Sequence, residues 1–210
     1  MKLAIFGATG RTGKHLVEQA LTQGHSVTAL VRDPARLGAR HERLNVAQGD
    51  IRDAAQVSQA VAGAKAVISV LGPTGNNPAF TVSQGMDNIR EAMKANSVKR
   101  LIVSAGAGVG DPREKPTLVH AFFGTMVKRL SKNVYQDMRQ VVEKVRASDV
   151  DWTIVRVLML TDAPRTGNVW SGYVGRDMSS RITRADMADY MLKQLTGRSH
   201  VRQAPAISNS

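Results

Sequence analysis

The chain contains no cysteine. That excludes a disulfide framework, thiol catalysis and thiolate metal ligands, and it agrees with a reducing compartment. Aromatic residues are scarce at 4%, so the core must be built from Val, Leu, Ile, Ala and Met. No apolar stretch approaches the ~18 residues that cross a bilayer. The opening run Met1–Gly7 is too short for a secretory signal. A soluble, cytoplasmic protein without a membrane partner is expected. His15, His25, His41 and His200 are not spaced with acids as metal ligands are, so no metal is expected. Acids are also in short supply: 17 Asp and Glu against 29 Lys and Arg leave a formal net charge of +12. Such a balance attracts anions. The basic residues are scattered from Arg32 to Arg202 rather than gathered in runs, so no nucleic-acid partner is expected. A solvated basic surface and attraction of phosphorylated small ligands both remain open.

What is present is alternation. Lys2–Phe6 and Ser26–Val31 read as strands, Asn45–Gln48 as a weak third, Ala66–Leu71 and Arg100–Ser104 as buried strands, and Trp152–Val157 as another. Between them, Thr12–Gln23, Ala54–Val61 (capped by Asp53), Thr81–Ala95 and Asp186–Leu195 carry apolar residues at helical spacing. Leu118–Ala147 reads as mostly helical with a break near Ser131, and the last residues as a short edge strand. Trp170 and Tyr173 fall in a hairpin-like turn. Strands that alternate with helices form a parallel sheet, because parallel neighbours need crossovers. The 210 residues show no repeat or linker, so one domain over 1–210 is expected. The fold class is α/β: a Rossmann-like doubly wound parallel sheet. A small substrate-covering segment comes from about Ala105–Ser131 and Pro164–Ser180.

Gly7-Ala8-Thr9-Gly10-Arg11-Thr12-Gly13 follows the first strand and opens the first helix. Gly7 suits a tight turn, Gly10 a close backbone approach to a pyrophosphate, and Gly13 close helix–strand packing. The helix amides and dipole then face phosphate groups. Dinucleotide binders place an acid on the ribose 2′-hydroxyl about 20 residues further on. Here Arg32 stands there, and a guanidinium fork suits the 2′-phosphate of NADP(H). Arg11 offers a second contact, and Asp33 keeps NAD(H) open. Asp50 is placed to accept from the adenine amine, with Ile51 packed on the ring.

These residues, with Val31-Arg32-Asp33-Pro34, Gly49-Asp50 and Asp151-Trp152-Thr153-Ile154-Val155-Arg156, resemble the atypical short-chain dehydrogenase/reductase superfamily. The nearest look is to NmrA-like proteins and flavin/biliverdin-IXbeta reductases, and the similarity runs from Lys2 to about Leu195. The resemblance implies NADP(H) along the strand ends. Gly7, Thr9, Gly10, Arg11 and Thr12 would hold the pyrophosphate region and Arg32 the 2′-phosphate. Leu71 and Gly72 would line the path to the ribose, Ser104 and Ala105 would lie beside the nicotinamide, and Leu158-Met159 near the ring.

The chain also departs from that pattern. The superfamily's Tyr-xxx-Lys pair is not matched: Tyr135 is followed by Met138 and Arg139. Helical spacing puts Tyr135 and Arg139 on one face, which leaves an active pair conceivable beside a structural one. Met159 stands where flavin/biliverdin reductases often carry a histidine. Ser104 and Tyr135 are the candidate catalytic residues. His120, Phe122 and Phe123 read either as a lid over a flat ring or as local packing. The expected activity is NADPH-dependent reduction of a flat, electron-poor small molecule such as a flavin or quinone. Such acceptors need little acid–base help from the protein. The alternative is a dinucleotide-sensing regulator without turnover, and the oligomeric state stays open.

Overall fold

The computed structural model describes residues 1–76, 78–114, 131–175 and 178–210. Eight strands form one sheet in the order β3-β2-β1-β4-β5-β6-β10-β8. They are β1 (Lys2–Phe6), β2 (Ser26–Val31), β3 (Leu44–Gln48), β4 (Ala66–Ser69), β5 (Arg100–Gly106), β6 (Asp151–Val157), β8 (Val169–Gly172) and β10 (Ala206–Asn209). All neighbours run parallel except β8, which lies antiparallel to β10. The order reverses beside β1, so this is the doubly wound arrangement, with its crevice at the strands' C-terminal ends.

Helices α1 (Arg11–Thr22) and α5 (Arg184–Lys193) cover one face; α2 (Ala54–Val61), α3 (Thr81–Ala95) and α4 (Lys132–Arg146) cover the other. Strand alternation divides the core accordingly. Leu3, Ile5, Ile102 and Val155 meet Leu16, Val17, Met187 and Met191. Ala4, Phe6, Leu101 and Ile154 meet Val57, Met86, Ile89 and Val141. Both sets are aliphatic and Met-rich, as the shortage of aromatics requires.

Local chemistry sets the helix ends. Asp53 accepts from the Gln56 amide and starts α2. Gly24, at φ +81°, ends α1 with its amide on the Leu21 carbonyl. The entry to α3 has no cap of its own: Phe80 sits left-handed at φ 45°. The buried Asp137 of α4 instead accepts from the amides of Val82 (3.2 Å) and Ser83 (2.8 Å). One carboxylate thus fastens two helices and satisfies two first-turn donors.

Several expectations need correction. The C-terminal strand β10 is not at an edge. It lies between β6 and β8, with the Arg156 amide donating to the Pro205 carbonyl and the Ile154 amide to Gln203. A strand laid beside β6 needs no alternation of its own, because both of its faces are covered. Trp170 lies in β8, the actual edge strand, rather than in a turn, and Tyr173 follows it. The fourth strand ends at Ser69, before Val70 and Leu71. The last helix opens at Arg184, because Thr183 caps it by accepting from the Asp186 amide. A small second sheet pairs β7 (Met159–Thr161) with β9 (Arg181–Thr183). The expected helix over 118–147 is present from Lys132 to Arg146. Residues 115–130, with His120, Phe122 and Phe123, lie outside the described residues.

Candidate dinucleotide site

At the crevice, Gly7 ends β1 with φ +85°, and a Cβ there would stand 2.8 Å from the Val70 carbonyl carbon. At Gly13 a Cβ would come within 2.1 Å of the Gly7 oxygen. The turn and the first turn of α1 therefore touch backbone to backbone, which no side chain permits. Gly10, in extended conformation, starts α1 without a side-chain cap, and no acid stands in the first turn. The amides of Arg11, Thr12 and Gly13 are left without intrahelical acceptors at the positive end of the helix.

Beside this turn lies a cleft of about 260 Å³ at the C-terminal ends of β1 to β4. It brings together seven of the residues expected from the sequence: Gly7, Thr9, Arg32, Asp50, Ile51, Leu71 and Gly72. Ile51 forms a fixed wall. Its side chain occupies the space where a Cβ on Gly85 would stand at 2.4 Å, and Asn88 Nδ2 donates to its carbonyl at 2.9 Å. Gly72 also lines the cleft, and a Cβ there would meet no protein atom within 4 Å. That room is left to whatever the cleft holds.

The charges around the cleft are sorted by their partners. Arg32 lines it, and its guanidinium has no hydrogen-bond or ion-pair partner among the described residues. Asp33 does not line it, since Oδ1 accepts from the Ala35 amide at 3.1 Å and caps a short 3₁₀ turn, Pro34–Arg36. Asp50 accepts a fork from Arg52, Nε to Oδ1 at 3.0 Å and Nη2 to Oδ2 at 2.8 Å. The Arg52 guanidinium holds the Asp50 carboxyl down to about 2.

The remaining expected residues lie along the same edge but outside this cleft. Arg11 does not point toward Arg32. Its Nη1 donates to Asp162 Oδ2 at 2.9 Å, and Arg184 holds the other oxygen at 2.7 Å. The expectation of a second 2′-phosphate contact from Arg11 therefore has no support, because a closer carboxylate takes it. Ser104 and Ala105 lie near the C-terminal end of β5, opposite Val155 and Arg156. Leu158 and Met159, just past β6, are exposed. By alternation Ser104 points toward the α1/α5 face, whereas α4 with Tyr135 covers the other. Any cooperation between them would take place over the sheet edge. Arg139 is committed to Glu143, 2.7 Å away one turn on, and that contact raises its pKa.

Sequence reasoning missed Gly49, Arg52, Thr74, Thr81 and Asp137, which also line the cleft. Asp137 had a readable signal: an acid beside Met138 on the apolar stripe of α4 demands a buried partner. Arg52 had none, because charged residues after a strand are ordinary. Among the described residues no group of His, Asp or Glu could hold a metal ion. No described helix is long and apolar enough to cross a membrane.

A glycine turn between β1 and α1, facing a crevice at the switch of strand order, defines a Rossmann-type dinucleotide fold. Residues 7–198 match the NAD(P)H-binding family, and the chain belongs to it. It is similar to an uncharacterised chloroplastic protein of Arabidopsis thaliana, 28% identical over 207 residues, covering 86% of this chain and 70% of that one. It is also similar to an oxidoreductase, aflX, of Aspergillus parasiticus, 26% identical over 72% of this chain and 61% of that one. The chain thus spans less than two thirds of the Aspergillus protein. Among solved structures, ChuY, an anaerobillin reductase of Escherichia coli O157:H7, superposes with a TM-score of 0.83 at 20% identity, covering 100% of this chain and 97% of that one. At that identity the likeness is one of fold.

Proposed function

We propose that the protein is an NAD(P)H-dependent oxidoreductase that prefers NADP(H) and reduces a flat, electron-poor small molecule such as a flavin or quinone. The observation that carries this reading is the cleft beside α1, with the unpartnered Arg32 at the ribose end and Asp33 turned away. The residues suit the cofactor: the space at Gly72 is open, and the α1 amides are unspent. The names of the Aspergillus oxidoreductase and of ChuY point to the same class.

In this reading the amides of Arg11, Thr12 and Gly13 bind the pyrophosphate. Arg32 binds the 2′-phosphate through charge-assisted hydrogen bonds, and Ile51 packs on the adenine. Leu71 and Gly72 line the path onward, and Ala105 borders the nicotinamide. When bound, the nicotinamide supplies or takes up hydride. Ser104 orients the carboxamide or the acceptor. The exposed Leu158 and Met159 give the acceptor ring an apolar floor and exclude water from the transfer. Tyr135, across the sheet edge from Ser104, would supply a proton, but an acceptor of this kind makes little demand on it.

The test is oxidation of NADPH and of NADH, followed at the nicotinamide absorbance band, with FMN, riboflavin and a simple quinone. Turnover above the enzyme-free rate, faster with NADPH, is expected. Tight NADPH binding with no turnover of any acceptor would overturn the reductase and favour a dinucleotide-sensing regulator.

A further inference from the structure

Among the described residues, four charged ones line the cleft: Arg32, Arg52, Asp50 and Asp137. Asp137 is spent on the amides that open α3, where the helix dipole offsets its charge. The neighbouring acids are also spent, Asp33 on the Ala35 amide and Asp53 on the Gln56 amide. Asp50 is therefore the carboxylate that decides the sign of the field in which Arg32 works. An uncovered carboxylate at this end would accept from a ribose hydroxyl and repel a phosphate dianion, which is the acid's role in NAD binders. In this protein it is covered. The Arg52 fork uses both of its oxygens, and the Arg52 amide donates to Oδ1 as well, at 2.9 Å.

We propose that Arg52 is a specificity-determining residue, which favours a 2′-phosphorylated dinucleotide by cancelling the Asp50 carboxylate so that Arg32 acts as the net charge of the cleft. This rests on the reading of the cleft as the adenosine end of a dinucleotide site. Arg52 acts through Asp50 and need not touch the phosphate. Its effect is electrostatic and falls on one half of the ligand, so removing Arg52 penalises NADP⁺ and spares NAD⁺. Removing the carboxylate together with Arg52 returns most of what was lost.

The experiment is calorimetric titration of the wild type, Arg52→Ala and Arg52→Ala/Asp50→Asn with NADP⁺, NAD⁺ and 2′,5′-ADP. Arg52 is largely exposed, so the single variant is expected to fold, and its NAD⁺ titration checks that directly. Arg52→Ala is expected to lose about tenfold in affinity for NADP⁺ and 2′,5′-ADP, as befits one partly solvated charge beside a phosphate. NAD⁺ affinity should stay within about twofold, since its ribose carries no added charge. The double variant should regain most of the NADP⁺ affinity. Unchanged NADP⁺ binding in Arg52→Ala would overturn the proposal. So would a double variant as weak as the single one, because Arg52 would then act by direct contact. A wild type that binds neither dinucleotide would instead reject the cleft as a cofactor site, and this inference with it.

Discussion

Replacing Glu114 with alanine is expected to destabilise the fold by about 3–5 kcal/mol, the usual cost of leaving one member of a buried ion pair alone. Arg156 of β6 is fully buried, and its Nη2 lies 2.6 Å from Glu114 Oε1. Its Nε donates to the Ala204 carbonyl at 2.7 Å, while neither Nη1 nor Nη2 makes a hydrogen bond among the described residues, so the Nη2 contact to Glu114 is an ion pair only. Glu114 therefore carries most of the compensation for a charge that cannot reach water. The same carboxylate accepts from the Asp111 amide at 2.9 Å and from the Val174 amide at 3.1 Å. It thereby ties the loop after β5 and the segment after β8 to the strand between them. The small apolar cluster of Ala107, Val174, Met178 and Ala206 sits around this tie. Chemical denaturation of Glu114→Ala and of Glu114→Ala/Arg156→Met separates charge from packing. The double variant should recover a substantial part of the loss, because removing both charges also removes the desolvation cost. A single variant within about 1 kcal/mol of wild type would show that the pair contributes no more than a surface contact.

The second large effect is at Asp186. Its carboxylate is fully buried and accepts from the Thr166 amide (3.0 Å) and hydroxyl (2.9 Å), the Gly167 amide (2.9 Å), the Thr183 hydroxyl (2.9 Å) and Asn209 Nδ2 (2.8 Å). One side chain thus joins the loop before β8, the end of β9, the first turn of α5 and the C-terminal strand. Asp186→Ala leaves these donors unpaired, and a loss of about 3 kcal/mol or more is expected in denaturant unfolding. Burial pushes this carboxyl up, but the donated hydrogen bonds outweigh it and hold its pKa at about 2. A folded pKa below the unfolded value of about 3.9 stabilises the protein above that value. The contribution, about 2 kcal/mol, is lost as pH falls from about 4 through 2. Asp186→Asn should flatten the stability profile across that window and leave its neutral-pH slope unchanged. An acid limb as steep in Asp186→Asn as in the wild type would assign the transition to other carboxylates.

The alternation of strands and helices was legible because most buried strands are bounded by Gly, Pro or Asp and helices α1 to α4 each carry an apolar stripe, whereas α5 is buried on nearly all sides. The glycine turn was legible for a stricter reason. At Gly7 and Gly13 the structure leaves no room for a Cβ, so the sequence had to show glycine there. The chain after β6 was harder to read. Strand β10 is held between β6 and β8 by contacts distant in sequence, and nothing local marks an interior strand of four residues. Arg32 was found by its distance from the turn, whereas its isolation from Asp33 depends on a capping bond one residue away. Arg11 shows the converse case. Its position in the turn suggested a phosphate contact, but Asp162, 151 residues further along the chain, takes its guanidinium.

The most direct test of the site is the affinity of wild type and Arg32→Asp for NADPH and NADH, measured by titration. The expected result is tighter binding of NADPH than of NADH by the wild type. In the variant NADPH should weaken by tenfold or more, at least the ~1.4 kcal/mol carried by one charge-assisted phosphate contact, and NADH should be retained. Equal NADPH affinity in the two proteins would contradict the assignment of this cleft to the adenosine 2′-phosphate.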